Sequence, residues 1–211
     1  MLLRNKEKIL FIGDSVTDCG AREESTAFLG NSYVHLLASK FYLDHPDLDI
    51  TFVNKGISGN TSRNLKERWQ EAVLDENPDV LGILIGINDV WRHYNGDPSN
   101  AVSLEEYMEN MKYLIESSIG KVKRIIILAP FHLGDPLNDP IRQQTDEYVK
   151  ALSQLVKNYD LDYINLHDIF QNYMKSFEYQ QMSFKNDKIH PTLFGHYIIF
   201  NEIYDLIIKN S

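Results

Sequence analysis

Cysteine is nearly absent from this sequence, which has one, Cys19, among its 211 residues. That excludes an intrachain disulfide and a cysteine-based metal cage. Long apolar runs are also missing, since no segment approaches the roughly 20 residues of a membrane span. The start of the chain has charged residues before its first short apolar run and lacks the apolar core of a signal peptide. We therefore expect no membrane association and a cytoplasmic location.

Basic residues are in the minority, with 21 Lys and Arg against 30 Asp and Glu and a net charge of −9. Such a chain lacks the positive footprint that nucleic acid or an anionic membrane requires. Hydrophobic residues make up 43% and charged residues 24%, which is typical of a globular protein and excludes a disordered one. The length suits one domain, which we expect to cover residues 1–211.

Five short apolar runs along the chain are each typical of a strand buried on both faces. They are Lys8–Ile12, Ile50–Asn54, Val80–Ile85, Arg124–Leu128 and Asp162–Leu166. Helical patterns lie between them, and this alternation predicts a parallel sheet with helices on both faces. Right-handed crossovers then favour a single-domain, flavodoxin-like three-layer α/β/α sandwich with a five-stranded parallel sheet.

Three helices have clear start signals. Ser103 and Glu106 form a capping-box pattern, Asp139 with Pro140 predicts a second start, and a last helix is expected from about Thr192 to Ile208. Apolar residues at helical spacing follow each start: Tyr107, Met111, Leu114 and Ile115; Tyr148, Leu152, Leu155, Val156 and Tyr159; and Ile198, Ile199, Ile203, Leu206 and Ile207.

Polar segments follow the first three predicted strands and precede the last helix. They are Gly13–Ser15, Asn54–Asn60, Gly86–Asp89 and Asp187–Pro191. Because ligands in such sheets bind outside the carboxyl ends of the strands, we expect these four segments to converge at one edge.

The chemistry that these residues allow is acyl transfer. His190 can remove the proton of the Ser15 hydroxyl, and Asp187 can hold the imidazole in the required tautomer. The backbone N–H groups of Ser15 and Gly59 and the side-chain amide of Asn88 are candidate donors to the oxyanion.

Each segment also allows a structural interpretation. Asp14 or Ser15 could simply cap a helix, and Asn54–Asn60 could be an ordinary turn. Asn88 with Asp89 could form an Asx turn, and Asp187 with His190 could be a surface pair.

Three acidic residues, Asp14, Asp18 and Asp89, could form a carboxylate cluster for glycoside hydrolysis or a metal. We expect Asp14 and Asp89 to accept backbone hydrogen bonds instead, since metal-ligand spacings are absent. His196 is interpreted as a surface or packing histidine that points away from the site. Cys19 lies near Ser15 in the chain and is expected to be inert.

The four segments together resemble the SGNH (GDSL) hydrolase superfamily, whose blocks supply a Ser, a Gly, an Asn and a His. Here the blocks are FIGDS, NKGISGN, IGIND and DKIHP. The resemblance implies that Ser15 is the nucleophile, that Gly59 and Asn88 serve the oxyanion, and that Asp187 and His190 complete the triad. It also implies an esterase that needs no cofactor and no metal.

Longer stretches, FIGDSVTDCG, VNKGISGNTSRNLKERW and IGINDVWR, resemble bacterial acetylesterases that act on xylan and xylo-oligosaccharides. This implies O-deacetylation of small carbohydrates, with Trp91 as a candidate substrate-binding ring that could equally serve packing.

Two alternatives to this function stay open. An acyl-thioesterase or a lysophospholipase would use the same triad, and a flavodoxin-like domain could bind a ligand without catalysis. The expected partner is a small acyl ester. A homo-oligomer is favoured only because soluble enzymes of this size often form one.

Overall fold

The computed structural model describes residues 4–23, 28–184 and 187–209. Within them, five strands form one parallel sheet in the order β2-β1-β3-β4-β5. The strands are β1 Lys8–Gly13, β2 Thr51–Gly56, β3 Val80–Leu84, β4 Arg124–Leu128 and β5 Asp162–Ile164. This is the flavodoxin-like order, so the predicted single-domain α/β/α fold is confirmed. The predicted bounds, 1–211, include residues outside the described ranges and stay a prediction.

Helices separate the strands along the chain and cover both faces of the sheet. The described residues form α1 Ser15–Asp18, α2 Tyr33–Asp44, α3 Ser62–Glu67, α4 Ile87–Trp91, α5 Leu104–Ser118, α6 Pro140–Val156, α7 Leu166–Tyr173, α8 Tyr179–Met182 and α9 Leu193–Lys209. A π-helical turn at Gln70–Leu74 and a 3₁₀ turn at Pro98–Asn100 complete them. None of these helices has the length and apolarity needed to cross a membrane.

The apolar runs are continuous because the strands contribute side chains to two hydrophobic cores, one on each face of the sheet. In β1, Ile9 and Phe11 pack into the cluster that includes residues of α2 and α9. Leu10 and Ile12 point the other way, into the cluster with residues of α5 and α6. Alternate residues of a strand face opposite sides of the sheet, so a strand covered on both sides must be apolar throughout.

β1 ends one residue later and β3 one residue earlier than predicted, whereas the predicted ends of β2 and β5 were wrong by two residues for local reasons. β2 was expected to end at Asn54 but continues to Gly56, because its pairing with β1 extends to the pair of Gly13 with Gly56. β5 was expected to reach Leu166 but ends at Ile164. The Asn165 side chain caps α7 there, accepting a hydrogen bond from the backbone N–H of Asp168 at 3.2 Å.

The helix starts were largely correct. Ser103 caps α5, but Glu106 pairs with Arg63 at 2.6 Å instead of closing the capping box. Asp139 caps α6 with Pro140 in the first turn, and α9 begins at Leu193, one residue later than expected. The predicted apolar faces of all three helices pack into the two cores.

Gly82 in β3 lies under the ring of Phe11, its partner in β1. A Cβ at position 82 would lie 2.3 Å from that ring, which is fully buried. We expect Gly82→Ala to lower the free energy of unfolding by about 1–3 kcal/mol, measured by urea denaturation, because the core cannot relax around the added methyl. Phe11→Leu should relieve part of that cost, and an equal cost in both backgrounds would contradict the predicted coupling.

Candidate active site

The end of β1 turns directly into a short helix that begins with Ser15. Asp14 caps this helix, its carboxylate accepting the backbone N–H of Val16 at 3.0 Å. Asp14 is almost completely buried, and this burial raises its pKa to about 7. The capping interpretation of this segment is therefore correct for Asp14, while Ser15 is half-buried and contacts another segment.

Ser15, His190 and Asp187 form a hydrogen-bonded chain. The Ser15 Oγ lies 2.7 Å from His190 Nε2, and His190 Nδ1 lies 2.6 Å from Asp187 Oδ2. The carboxylate therefore accepts the Nδ1 proton, which leaves Nε2 to accept the proton of the Ser15 hydroxyl. Asp187 is held by its own loop, since its Oδ1 accepts the backbone N–H groups of Ile189 and His190 at 2.9 Å each.

The loop of Asp187 and His190 is anchored from both sides. Lys188, with a φ of +64°, pairs through Nζ with Asp139 at 2.8 Å, and its carbonyl accepts the Leu133 N–H. On the other side, the backbone N–H of Phe184 donates to the His190 carbonyl at 3.0 Å. These bonds hold the imidazole against Ser15 without using the imidazole nitrogens.

Gly59 belongs to the loop that follows β2. Its φ is +82°, a conformation that favours glycine, and its carbonyl accepts a hydrogen bond from Arg92 at 2.7 Å. Arg92 also pairs with Asp97. The positive φ is thus a reason for glycine at position 59 in addition to the close ligand approach expected from the sequence.

Asn88 connects the loops that follow β2 and β3. One hydrogen of its side-chain amide donates to the Asn60 carbonyl at 3.0 Å, which leaves the second for another acceptor. In the described part of the chain, the backbone N–H groups of Ser15 and Gly59 have no protein acceptor. The structure thus leaves all three predicted oxyanion donors available.

Asp89 fixes the start of α3 and is fully buried. Its carboxylate accepts the Ser62 backbone N–H at 3.0 Å and the Ser62 hydroxyl at 2.5 Å. Burial raises the pKa of Asp89 to about 6, although the bonds from Ser62 partly offset this. Asp18 plays a similar part, since its Oδ2 accepts the Ser58 N–H and hydroxyl at 3.1 and 2.7 Å. The expectation that Asp14 and Asp89 accept backbone hydrogen bonds is confirmed.

No set of three or more His, Cys, Asp or Glu side chains within the described ranges is placed to hold a metal ion. This applies to Asp14, Asp18 and Asp89, the three acidic residues that were considered as a carboxylate cluster and set aside on their sequence spacing.

A cavity of about 400 Å³ opens beside Ser15. Its lining residues are Ser15, Cys19, Ser58, Phe184, Asp187, His190, Pro191 and His196. Cys19 therefore lies at the site, as its position near Ser15 suggested, and burial raises the pKa of its thiol. Trp91, at the end of α4, is half-buried and is not among these lining residues, so a substrate contact for it stays a prediction.

The interpretation of His196 as a residue that points away from the site was wrong. It is 3% exposed, lines the cavity, and its Nε2 lies 3.6 Å from Cys19 Sγ. Burial lowers its pKa to about 4. The error arose from inferring the direction of His196 from its position six residues after His190, which assumes one helical phase for both, although the helix was predicted from about Thr192 and begins at Leu193. Pro191 between them was the signal that the phase does not carry over.

At the carboxyl edge of the parallel sheet, a carboxylate orients an imidazole, and the imidazole contacts a serine hydroxyl. This is the arrangement of a serine hydrolase. The family model described as GDSL-like lipase/acylhydrolase matches residues 11–198, and the chain belongs to this family. It is a carboxylic ester hydrolase, so a binding domain without catalysis is excluded.

Individual relatives within the family show which kind of ester hydrolase this chain resembles. An acetylxylan esterase from Geobacillus stearothermophilus is 38% identical over 205 residues, which cover 94% of this chain and 93% of that protein. Its crystal structure has a TM-score of 0.91 at 36% identity, covering 99% of this chain and 97% of that chain. The α/β hydrolase LAE5 from the metagenome of Lake Arreo, Spain, has a TM-score of 0.90 at 30% identity, covering 98% and 97%. The predicted resemblance to carbohydrate acetylesterases is confirmed.

Asp89 should contribute to the pH dependence of stability. Its folded-state pKa of about 6 lies above the ordinary 3.8, so the folded state holds the proton more tightly than the unfolded state. Its contribution is therefore greatest below pH 3.8 and is lost as the pH rises through about 6. The free energy of unfolding of the wild type, minus that of Asp89→Asn, should fall by up to about 3 kcal/mol between pH 4 and pH 7. Urea denaturation across this range measures it, and a difference that rises or stays flat would contradict the burial argument.

Proposed function

We propose that this protein is a serine esterase that removes O-acetyl groups from small carbohydrates such as xylo-oligosaccharides. The observation that carries the proposal is the chain of contacts from Ser15 to His190 to Asp187, with distances of 2.7 and 2.6 Å. In this proposal the three residues are the nucleophile, the general base and the carboxylate that orients the base.

In the acylation step, the Ser15 oxygen attacks the acetyl carbonyl carbon while His190 Nε2 takes the hydroxyl proton. The carbonyl π electrons move to oxygen, and this oxyanion accepts hydrogen bonds from the Ser15 and Gly59 N–H groups and the Asn88 amide. As the tetrahedral intermediate collapses, the bond to the sugar oxygen breaks and His190 gives that oxygen its proton. The products are the free sugar hydroxyl and acetyl-Ser15.

Deacylation repeats these steps with water. His190 takes a proton from water as the water oxygen attacks the acetyl carbon, and the same donors hold the oxyanion. The bond to the Ser15 oxygen then breaks, His190 returns the proton to it, and acetic acid leaves. Asp187 stays ionised and stabilises the imidazolium in both halves.

Relatives support both the triad and the substrate class. Crystal structures of catalytic mutants of the Geobacillus stearothermophilus esterase carry alanine in place of a serine, an aspartate or a histidine. That enzyme is an acetyl-xylooligosaccharide esterase. Comparing rates on acetylated xylo-oligosaccharides with rates on medium-chain acyl-thioesters and a lysophospholipid tests the acyl specificity. A preference for either of the latter would overturn the substrate assignment but keep the triad.

The cytoplasmic location and the homo-oligomeric state expected from the sequence stay predictions. Cell fractionation tests the first, and light scattering after size-exclusion chromatography tests the second.

Ser15→Ala should abolish esterase activity, with a fall in kcat of at least about 10³-fold, because the proposed acyl intermediate forms on the Ser15 oxygen. The midpoint of thermal unfolding should change little, because Ser15 is only half-buried and its loss opens no core cavity. Ser99→Ala, at an exposed serine in the 3₁₀ turn, is the matched control and should keep full activity. A folded, active Ser15→Ala enzyme would show that the nucleophile lies elsewhere.

Asp187→Asn should lower kcat by roughly 10²–10⁴-fold, because an amide beside Nδ1 favours the tautomer that cannot accept the Ser15 proton. Acetate release from an acetylated xylo-oligosaccharide measures the effect, and circular dichroism checks the fold. Asp160→Asn, at an exposed aspartate before β5, serves as the control.

Asp89 contacts Ser62, not the imidazole, so Asp89→Asn should affect stability more than kcat. If Asp187→Asn is nearly silent while folded Asp89→Asn is inactive, then Asp89 orients the base. If both are silent, Ser15 and His190 act as a dyad.

A further inference from the structure

Phe184 is a large apolar side chain exposed at the edge of the active-site cavity. It lies between α8 and the loop of Asp187 and His190, lines the cavity beside Ser15, and is 59% exposed. The two residues that precede it are fixed: Met182 and Ser183 are buried, and the Ser183 hydroxyl donates to the His190 carbonyl at 3.0 Å. The Phe184 ring is therefore exposed to solvent, while the backbone that precedes it is held in place.

The backbone of Phe184 is part of the same loop that holds the base. Its N–H donates to the His190 carbonyl at 3.0 Å, and its carbonyl accepts the Asp187 N–H at 3.1 Å. These two bonds fix the position of the Phe184 backbone relative to the Ser15–His190 pair. A group that packs against the Phe184 ring would therefore be held at a fixed position relative to the Ser15 hydroxyl and the His190 imidazole.

The cavity lies on the His190 side of Ser15. Its lining residues include Asp187, His190 and Pro191, but neither Gly59 nor Asn88. In the proposed reaction the carbonyl oxygen faces the Gly59 and Asn88 donors, whereas the leaving oxygen must reach His190 Nε2 to receive its proton. The leaving alcohol therefore enters this cavity.

The size and chemistry of the cavity suit that alcohol. An acetyl group has only two carbons and leaves most of about 400 Å³ unfilled. Phe184 and Pro191 offer apolar surface, and the Ser58 hydroxyl, which donates to Asp18 at 2.7 Å, can still accept a hydrogen bond. A sugar ring presents apolar C–H faces and hydroxyl edges, so it matches such a mixed surface.

We propose that Phe184 is a substrate-binding residue that stacks on the sugar ring carrying the leaving oxygen and so selects carbohydrate esters over esters of small alcohols. This inference rests on the proposed function and adds the residue that distinguishes one leaving alcohol from another. It assigns to Phe184 the aromatic contact that the sequence suggested for Trp91.

The test compares two acetate esters that differ only in the leaving alcohol, O-acetylated xylobiose and ethyl acetate. Phe184→Ala should raise KM for acetylated xylobiose about three- to tenfold with kcat unchanged, since stacking contributes equally to the bound substrate and the transition state. Both constants for ethyl acetate, which has no ring to stack, should stay within about twofold. Phe184→Trp should restore the low KM, because it replaces the flat face.

Tyr197→Ala is the matched control. Tyr197 is an aromatic residue of α9 with a similar exposure, 54%, and it does not line the cavity. This variant should leave both substrates unaffected. The midpoint of thermal unfolding of each variant shows that the fold is kept.

Three results would overturn the role of Phe184: equal losses on both esters, which would mean that the residue supports the catalytic loop; no change of KM for acetylated xylobiose; or the same change in Tyr197→Ala. The proposed function fails in a different way, when the wild type hydrolyses ethyl acetate but not acetylated xylobiose. That result would overturn the substrate class and the Phe184 contact together.

Discussion

The parallel pairing of β1 with its two neighbours is the constraint on which the site depends. The pairs of Gly13 with Gly56 and with Leu84 end β1, β2 and β3 at one level. The chain then turns so tightly that a Cβ on Gly13 would lie 2.3 Å from the Leu84 carbonyl oxygen. A Cβ on Gly56 would lie 2.2 Å from the backbone nitrogen of Asp18. Glycine at both positions lets α1 lie directly on the strand ends, and this close approach presents Ser15 at the edge of the sheet.

Buried polar contacts, rather than apolar packing, hold the loops around Ser15. Asp18 holds the loop after β2 through Ser58, and Asp89 holds the start of α3 through Ser62. Asn88, which follows β3, then connects its own segment to the loop after β2 by donating to the Asn60 carbonyl. Burying carboxylates is costly, and the same burial raises the pKa values of Asp14 and Asp89. The chain gives up stability at neutral pH for loops of fixed geometry, a common feature of functional sites.

The sequence predicted the sheet, its order and the contacts among Ser15, His190 and Asp187, because buried parallel strands and their carboxyl ends leave strong local patterns. It missed the extent of β2, since pairing with β1 overrides the turn preference of Asn54, Lys55 and Gly56. It also misplaced His196, because a helical phase cannot be followed across a proline-containing bend. Contacts between distant loops, such as that of Arg92 with Gly59, leave no spacing pattern and need the folded structure.

In the proposed mechanism the site has one side with available hydrogen-bond donors and, opposite it, a wall that includes two neutral side chains, His196 and Cys19. Gly59 and Asn88 leave donors available where, in the proposed reaction, negative charge develops on the substrate. Opposite them, His196 has a pKa of about 4 and is neutral at physiological pH, and burial raises the pKa of Cys19 so that it stays a thiol. A charged His196 would oppose the imidazolium that forms on His190 during the reaction, because like charges close together destabilise each other. Because burial keeps His196 neutral, the imidazolium proposed for His190 pairs with the Asp187 carboxylate without repulsion from a charged His196, which favours proton transfer from Ser15.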